Sequence, residues 1–419
     1  MNKVTINAAI ITIGDEILYG HITDTNARFI AEALSNAGIS VLKKITVGDN
    51  REDINAALED VAGKTTLVII TGGLGPTKDD ITKNTLAAYF HSEIRLHEEA
   101  LQHLQVFFKR RNWELSATNK TQANLPTTCT YIPNNYGTAP AMWFEEKGQI
   151  WVSLPGVPFE MKKVFTEEII PKLKGKLSCP VITHKIIRTV GIGESFLSDK
   201  IADWEQALPP EVKLAYLPET GQVKLRLSIS GSSEERNLQI LDKEIKELKN
   251  IAGTYIYSYE NLSLEAAIGK LLSKEKAMLA TAESCTGGTI ASMITSVPGS
   301  SSYFKGSIVA YNNAIKKKLL QVKEATLKVY GAVSEETVSE MAKGVREVLE
   351  VDYSLATSGI AGPGGGSEQK PVGTIWIACA TKKDIVTQKL ALGTDRETNI
   401  KRTAVAALNL LRQRIVKKG

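Results

Sequence analysis

Short apolar runs that end abruptly in glycine constrain the fold of this 419-residue chain more than any other feature. Ala8 to Ile13 runs into Gly14-Asp15-Glu16, and Thr66 to Ile70 runs into Thr71-Gly72-Gly73-Leu74-Gly75-Pro76-Thr77-Lys78-Asp79-Asp80. Far downstream, Met278 to Ala282 meets Glu283-Ser284-Cys285-Thr286-Gly287-Gly288, and Tyr353 to Ala356 meets a glycine-dense segment from Thr357 to Ser367. Between such runs lie stretches with helical spacing, among them Thr25 to Ala37, Arg51 to Val61 and Arg396 to Val416. Buried-type strands alternating with helices through short connections predict α/β units with a parallel sheet covered on both faces.

The rhythm changes from about Ser178. Strand, helix, a hairpin around Pro218 to Gly221, helix and strand follow one another, the order of a small split α+β unit. We therefore expect three domains: a doubly wound α/β domain over 1–172, an α+β connector over 178–258 and a second α/β domain over 262–415. The length suits several cores rather than one.

Composition narrows the function classes. Hydrophobic residues make up 43% and charged residues 23%, as in a soluble globular protein. The N-terminal apolar run is too short for a signal peptide or span, and no other segment approaches 18 apolar residues. A cytoplasmic protein with no membrane partner is expected. The net charge of +5 is mild and lacks a basic stripe, so nucleic acid ranks last among partners. Cys129, Cys179, Cys285 and Cys379 form no CxxC pair and read as reduced thiols.

In a doubly wound sheet, ligands sit beyond the carboxyl ends of the strands. In the first domain those ends carry Gly72, Gly73, Gly75 and Thr77, which suit a phosphate cradle, and the acids Asp15, Glu16, Asp49, Asp79 and Asp80. Such carboxylates repel phosphate unless a hard divalent cation lies between them, so a metal-dependent phosphate or pyrophosphate site is expected. Asp15, Glu16, Asp49 and Asp80 are the candidate ligands. The competing reading is that Asp49, Asp79 and Asp80 cap helices.

In the last domain, Ser284 stands where a strand ends and a helix begins, a place that exposes a hydroxyl beside backbone donors. An N-cap role is the simpler reading of that position. All five histidines, His21, His91, His97, His103 and His184, precede this domain. A Ser-His-Asp triad or Cys-His pair within it is thereby excluded, and any base must be a lysine, a carboxylate or a tyrosine. Tyr311-Asn312-Asn313-Ala314-Ile315-Lys316-Lys317-Lys318 follows a strand on the same rim. The segment Gly359-Ile360-Ala361-Gly362 could cradle a phosphate and ribose, with Arg396 as its positive partner. Glu283, Thr286 and Gly287 complete the candidate substrate contacts.

Several of these motifs resemble the CinA (competence/damage-inducible) family. Gly14-Asp15-Glu16-Ile17-Leu18, Asp24-Thr25-Asn26, the 71–82 segment, Asn134 to Pro140 and Leu154 to Met161 resemble its molybdopterin-binding-like N-terminal domain. Ala282 to Gly288, Tyr311 to Lys316, Gly331 to Ser334, Ser358 to Gly365 and Lys370 to Thr374 resemble its C-terminal domain. The resemblance implies a KH-like connector and a Ser/Lys amidohydrolase that converts nicotinamide mononucleotide to nicotinic acid mononucleotide and ammonia without a cofactor. Ser284 maps onto the nucleophile, Lys316 onto the general base and Tyr311 onto a site residue. It also implies an ADP-ribose pyrophosphatase in the N-terminal domain, using a divalent metal (Mg, Mn or Co), and a homodimer is expected. Two rival readings are an N-terminal pyrophosphatase whose C-terminal domain only binds nucleotide, and a nucleic-acid-associated competence protein.

Overall fold

The computed structural model describes residues 6–77, 79–231 and 233–417, so Met1 to Thr5 and Lys78 of the glycine-acid segment lie outside the described residues. The chain forms two compact units, one of 1–183 with 230–238 and one of 184–229 with 239–419. Among the described residues no helix is long and apolar enough to cross a membrane.

The strands of the first unit are β1 (Asn7–Ile13), β2 (Ser40–Val47), β3 (Leu67–Thr71), β4 (Ile94–Leu96), β5 (Asn124–Pro126), β6 (Thr130–Ile132), β7 (Ala141–Glu146) and β8 (Gln149–Leu154). Six of them make one sheet in the order β2-β1-β3-β8-β7-β6, and β4 pairs with β5 apart from it. Successive β1 residues enter different cores: Ala9, Ile11 and Ile13 pack on one face, and Ala8 and Ile10 on the other. Burial on both faces is why the run reads as continuously apolar. β1, β2, β3 and β8 are parallel, as expected, but β7 and β6 are antiparallel additions. The physical reason is the connection between β7 and β8. Lys147 and Gly148 both have positive φ, so only a tight two-residue hairpin joins these strands.

The split α+β connector contains β9 (Val181–Val190), β10 (Val212–Glu219), β11 (Gln222–Gly231) and β12 (Ile256–Ser258), with helices Glu194–Gln206 and Glu234–Ala252. Its sheet order is β10-β11-β9-β12. The hairpin turn is shorter than the four residues expected. Pro218 pairs with Val223 inside the ladder, leaving Thr220-Gly221 as the turn. β10 is an edge strand, where a proline without an N–H is tolerated.

The C-terminal domain has β13 (Leu279–Glu283), β14 (Phe304–Val309), β15 (Tyr353–Gly359), β16 (Thr374–Ala380) and β17 (Ile385–Ala391) in the order β14-β13-β15-β16-β17. The first three are parallel. The expected helix–strand alternation fails after β15, because β16 and β17 form an antiparallel pair joined by a short turn at 381–384. The final helix spans Arg396–Val416 as expected, and its apolar face joins Leu279, Leu355 and Ile375 in one core. Ser284, Asn312 and Ile360 therefore all follow the carboxyl ends of neighbouring parallel strands.

Candidate active site

The C-terminal site is organised by a buried carboxylate. Glu283 ends β13, has no exposed surface, and accepts from the backbone N–H groups of Gly288 (3.0 Å), Ile290 (3.1 Å) and Ala291 (2.8 Å). It caps the helix Thr289–Thr295, whose N-cap Gly288 supplies no side chain. Glu283 and Thr286, expected among substrate contacts, are thus occupied inside the protein. The Thr286 hydroxyl is buried against that of Thr357 at 2.8 Å. Gly287 and Gly288 hold φ of 60° and 100°, which side-chain-bearing residues rarely adopt.

This turn lifts Ser284 to the rim. Its N–H donates to the Thr357 carbonyl (3.0 Å), and its own carbonyl accepts from Gly287 (3.2 Å). The N–H groups of Cys285 and Thr286 meet no backbone acceptor among the described residues.

Lys316 comes from the helix Asn313–Leu320, which Asn312 caps by accepting from Ala314 N–H at 2.7 Å. Its Nζ stands 3.0 Å from Ser284 Oγ and 2.8 Å from the Ala310 carbonyl. The residue is only 2% exposed, and no carboxylate pairs with it among the described residues. Burial pushes its amine below the usual lysine range. Lys317 and Lys318 on the same helix are exposed, as expected of a solvated face. Burial pushes the adjacent Cys285 thiol up to about 12, which keeps it protonated and a poor nucleophile. The lone N-cap reading of Ser284 is not what the structure shows, because Glu283 and Gly288 make that cap.

The third rim segment begins beside this pair, at the Thr357 carbonyl that accepts from the Ser284 N–H. β15 runs to Gly359, so Thr357 to Gly359 are strand rather than loop. Arg396 donates to the Gly362 carbonyl (2.8 Å) and to the Tyr311 hydroxyl (2.9 Å), drawing together three elements that are distant in sequence. Tyr311 itself is 63% exposed. Ile360 and Ala361 continue from the strand, with Ala361 buried.

Sequence reasoning missed two supports. Asn399 is buried and donates to the Ala361 (2.9 Å) and Gly393 (2.8 Å) carbonyls. Its signal was an asparagine on the apolar stripe of the last helix. Lys370 donates to the Tyr330 (2.8 Å) and Val333 (2.7 Å) carbonyls, pinning the glycine segment to the turn around Gly331.

The first unit carries a separate cleft of about 880 Å³ at its strand ends. Asp15, Glu16, Asp24, Asp49, Gly72, Gly73, Gly75, Asp79, Asp80 and Glu160 are among its lining residues. Gly72 and Gly73 hold φ of 111° and 63°, and a Cβ on Gly72 would stand 2.0 Å from the Ile13 carbonyl oxygen. Thr77 gives its N–H (2.9 Å) and hydroxyl (2.5 Å) to Asp80 Oδ2. The capping alternative does not describe these acids: Asn50, not Asp49, caps the helix Arg51–Val61, and the helix Thr82–Tyr89 has no side-chain cap. Asp49 accepts from Asp15 N–H at 3.0 Å. Burial holds its carboxyl above the usual range against that hydrogen bond, and the charges of Asp15, Glu16 and Asp80 push the same way. Among the described residues no three His, Cys, Asp or Glu side chains are close enough together to hold a metal ion.

Comparison with known proteins decides the family. The profile described as "CinA C-terminal domain" matches residues 261–415, "Damage-inducible protein CinA KH domain" matches 184–258 and "Probable molybdopterin binding domain" matches 9–175. A CinA-like protein of Cytophaga hutchinsonii is 48% identical over 98% of both chains. The chain belongs to the CinA family. A CinA-like protein of Flavobacterium psychrophilum is 43% identical, covering 98% of this chain and 99% of its own. Among solved structures, a competence/damage-inducible protein of Agrobacterium tumefaciens is 36% identical over 36% of this chain and 92% of its own, with a TM-score of 0.35. The connector is thus the KH domain of a CinA protein, although its Gly191-Ile192-Gly193-Glu194 junction is not the GXXG clamp that grips RNA backbone.

Proposed function

We propose that the C-terminal domain of this CinA protein hydrolyses the carboxamide of nicotinamide mononucleotide to nicotinic acid mononucleotide and ammonia. The observation that carries the reading is the 3.0 Å contact between Ser284 Oγ and a buried lysine amine that has no carboxylate partner among the described residues. The motif resemblance supplies the substrate. A free lysine with a pKa of about 10.4 is only ~0.04% neutral at pH 7, so a base near neutrality needs the downward shift that burial gives Lys316.

In this reading the neutral amine takes the Ser284 proton as Oγ attacks the carboxamide carbon. The Cys285 and Thr286 amides, which meet no backbone acceptor among the described residues, would receive the oxyanion. The Lys316 ammonium then protonates the departing nitrogen, and ammonia leaves an ester on Ser284. Water attacks that ester with its proton passing to Lys316, which returns it to Ser284 Oγ as the ester bond breaks and the pyridine carboxylate is released. The test is ammonia release from nicotinamide mononucleotide in excess chelator. Its absence, with the nucleotide still bound, would leave the domain a nucleotide-binding module and overturn the reading.

The segment around Gly362, with Arg396 across it, is suited to the ribose and phosphate. The enzyme is therefore expected to prefer the mononucleotide to nicotinamide or its riboside. A charge-assisted phosphate contact contributes about 1.5–3 kcal/mol, or roughly 10- to 150-fold in kcat/KM. Arg396→Leu should erase that preference, and equal efficiency of the wild type on free nicotinamide would sink the assignment.

For the N-terminal cleft we propose a metal-dependent nucleotide pyrophosphatase acting on ADP-ribose. Asp15, Glu16, Asp49 and Asp80 line the cleft with the glycine cradle but do not converge closely enough to hold a cation as they stand, so the reading requires them to draw together around a divalent ion. A cation bound in that way would neutralise charge on the phosphates. Asp80→Ala should abolish ADP-ribose hydrolysis while ammonia release continues unchanged. Joint loss of both activities in a folded variant would mean that the two sites are not separate. The names of the family's proteins speak of competence and damage induction, but the sequence carries no basic stripe for nucleic acid.

A further inference from the structure

Two buried carboxamides in the wall of the N-terminal cleft have hydrogen-bonding atoms that nothing among the described residues satisfies. Gln122, in the short 3-10 turn Thr121–Ala123, is 2% exposed, and neither its Oε1 nor its Nε2 has a partner among the described residues. Asn26, at the start of the helix Thr25–Asn36, is 6% exposed. Its Nδ2 donates to the Gly156 carbonyl (2.7 Å) and to the Thr71 hydroxyl (3.3 Å), which fixes the amide, and its Oδ1 is left without a donor. Both residues line the cleft that holds the glycine cradle.

A buried polar group without a partner costs about 1–3 kcal/mol, so two in one cleft wall are not a neutral feature of packing. Apolar side chains of similar shape would remove that cost. The chemistry of the unpaired atoms restricts what could relieve it. A phosphate oxygen offers no hydrogen to Asn26 Oδ1. A cation could take either amide oxygen but not the Gln122 Nε2 donor. The matching ligand therefore carries a hydroxyl or N–H donor for Asn26 and a planar edge with adjacent donor and acceptor for Gln122. A glutamine amide pairs in this bidentate way with the N6–H and N7 edge of adenine.

We propose that Gln122 and Asn26 are the specificity residues of the N-terminal cleft. Gln122 reads the donor–acceptor edge of a purine with an exocyclic amine, and Asn26 accepts from a ribose hydroxyl. The cleft thereby selects an adenosine diphosphate derivative over pyrophosphate or an inosine counterpart. This rests on the nucleotide reading of the cleft and adds to it the part of the ligand that is recognised and the residues that recognise it.

The test is calorimetric binding of ADP-ribose, inosine diphosphate ribose and inorganic pyrophosphate to the full chain, wild type and Gln122→Met, with thermal unfolding of each. The wild type should bind ADP-ribose at least tenfold more tightly than the inosine compound. Gln122→Met should lose that discrimination, bind pyrophosphate as before, and melt at the same or a higher temperature because an unpaired amide is gone. A merely structural glutamine would instead lower the melting temperature and weaken all three ligands together. Asn26→Leu and Asn26→Asp both lose the Nδ2 donor to Gly156 and Thr71, but only Asp keeps an acceptor, so Asn26→Asp should retain ADP-ribose binding better than Asn26→Leu. If the wild type binds ADP-ribose but Gln122→Met discriminates as well as the wild type, the specificity assignment falls and the nucleotide reading stands. If the wild type binds neither nucleotide, the nucleotide reading itself falls, and this assignment with it.

Discussion

Ser284→Ala and Lys316→Met are each expected to lower ammonia release from nicotinamide mononucleotide on the order of 10³-fold or more, and the double variant little further. The two side chains act as a unit in the proposed reaction, so removing either leaves the other without a role. Lys316→Arg should be as inactive as Lys316→Met, because a guanidinium is not deprotonated near neutrality. The wild-type rate should rise with pH along a single limb, since the base works in its neutral form. Burial lowers the Lys316 pKa, so that limb should level off below the ~10.4 of a free lysine.

The same shift has a stability consequence with a definite sign. Below the folded pKa the cost of burying the Lys316 ammonium is fully present; between the folded and unfolded values only the unfolded chain holds the extra proton, so stability rises with pH and the cost is gone above the unfolded value. Lys316→Met should therefore lose activity without losing melting temperature at pH 7. Cys285→Ser should remain active, because that thiol is held protonated. An active Ser284→Ala, or a dead Cys285→Ser beside it, would refute the serine–lysine pair.

Glu283→Ala is expected to have the largest effect on stability. Its carboxylate serves three backbone N–H groups at the start of the helix Thr289–Thr295. Hydrogen bonds to charged groups contribute about 1.5–3 kcal/mol each, and buried donors left unpaired cost as much again. Loss on the order of 3 kcal/mol or more should appear in denaturant unfolding of the C-terminal transition. Activity should fall with it, since Ser284 follows Glu283 directly in the turn. Glu283→Gln keeps one acceptor oxygen and should lie between. A change below about 1 kcal/mol for Glu283→Ala would show that the helix start does not depend on this carboxylate.

Much of the active-site scaffold could be read from local pattern. Ser284 at a strand end, Lys316 in the first turns of the next rim helix and the exposed state of Lys317 and Lys318 all follow from strand and helix periodicity. That Glu283 faces inward does not. A carboxylate beside a serine in a glycine-rich turn reads as a ligand contact, and only the path of the turn shows that it meets three backbone donors instead. Arg396 was legible as a positive charge opening a helix. Its contacts with Gly362 and Tyr311 join residues 34 and 85 positions away.

The sequence by itself determined the α/β class, the three-part organisation, the absence of histidine from the last domain and hence the restriction of its base to lysine, carboxylate or tyrosine. These are properties of composition and of period-2 and period-3.6 patterns, which are local. Tertiary structure decided the antiparallel additions to both outer sheets, the capping role of Glu283, the burial of the Lys316 amine against Ser284 and the Ala310 carbonyl, and the unpaired Oδ1 of Asn26 and amide of Gln122 among the described residues. Each of these depends on which groups fail or succeed in finding a partner across the fold. Partners of that kind are set by chain paths through three dimensions, and no spacing along the chain encodes them.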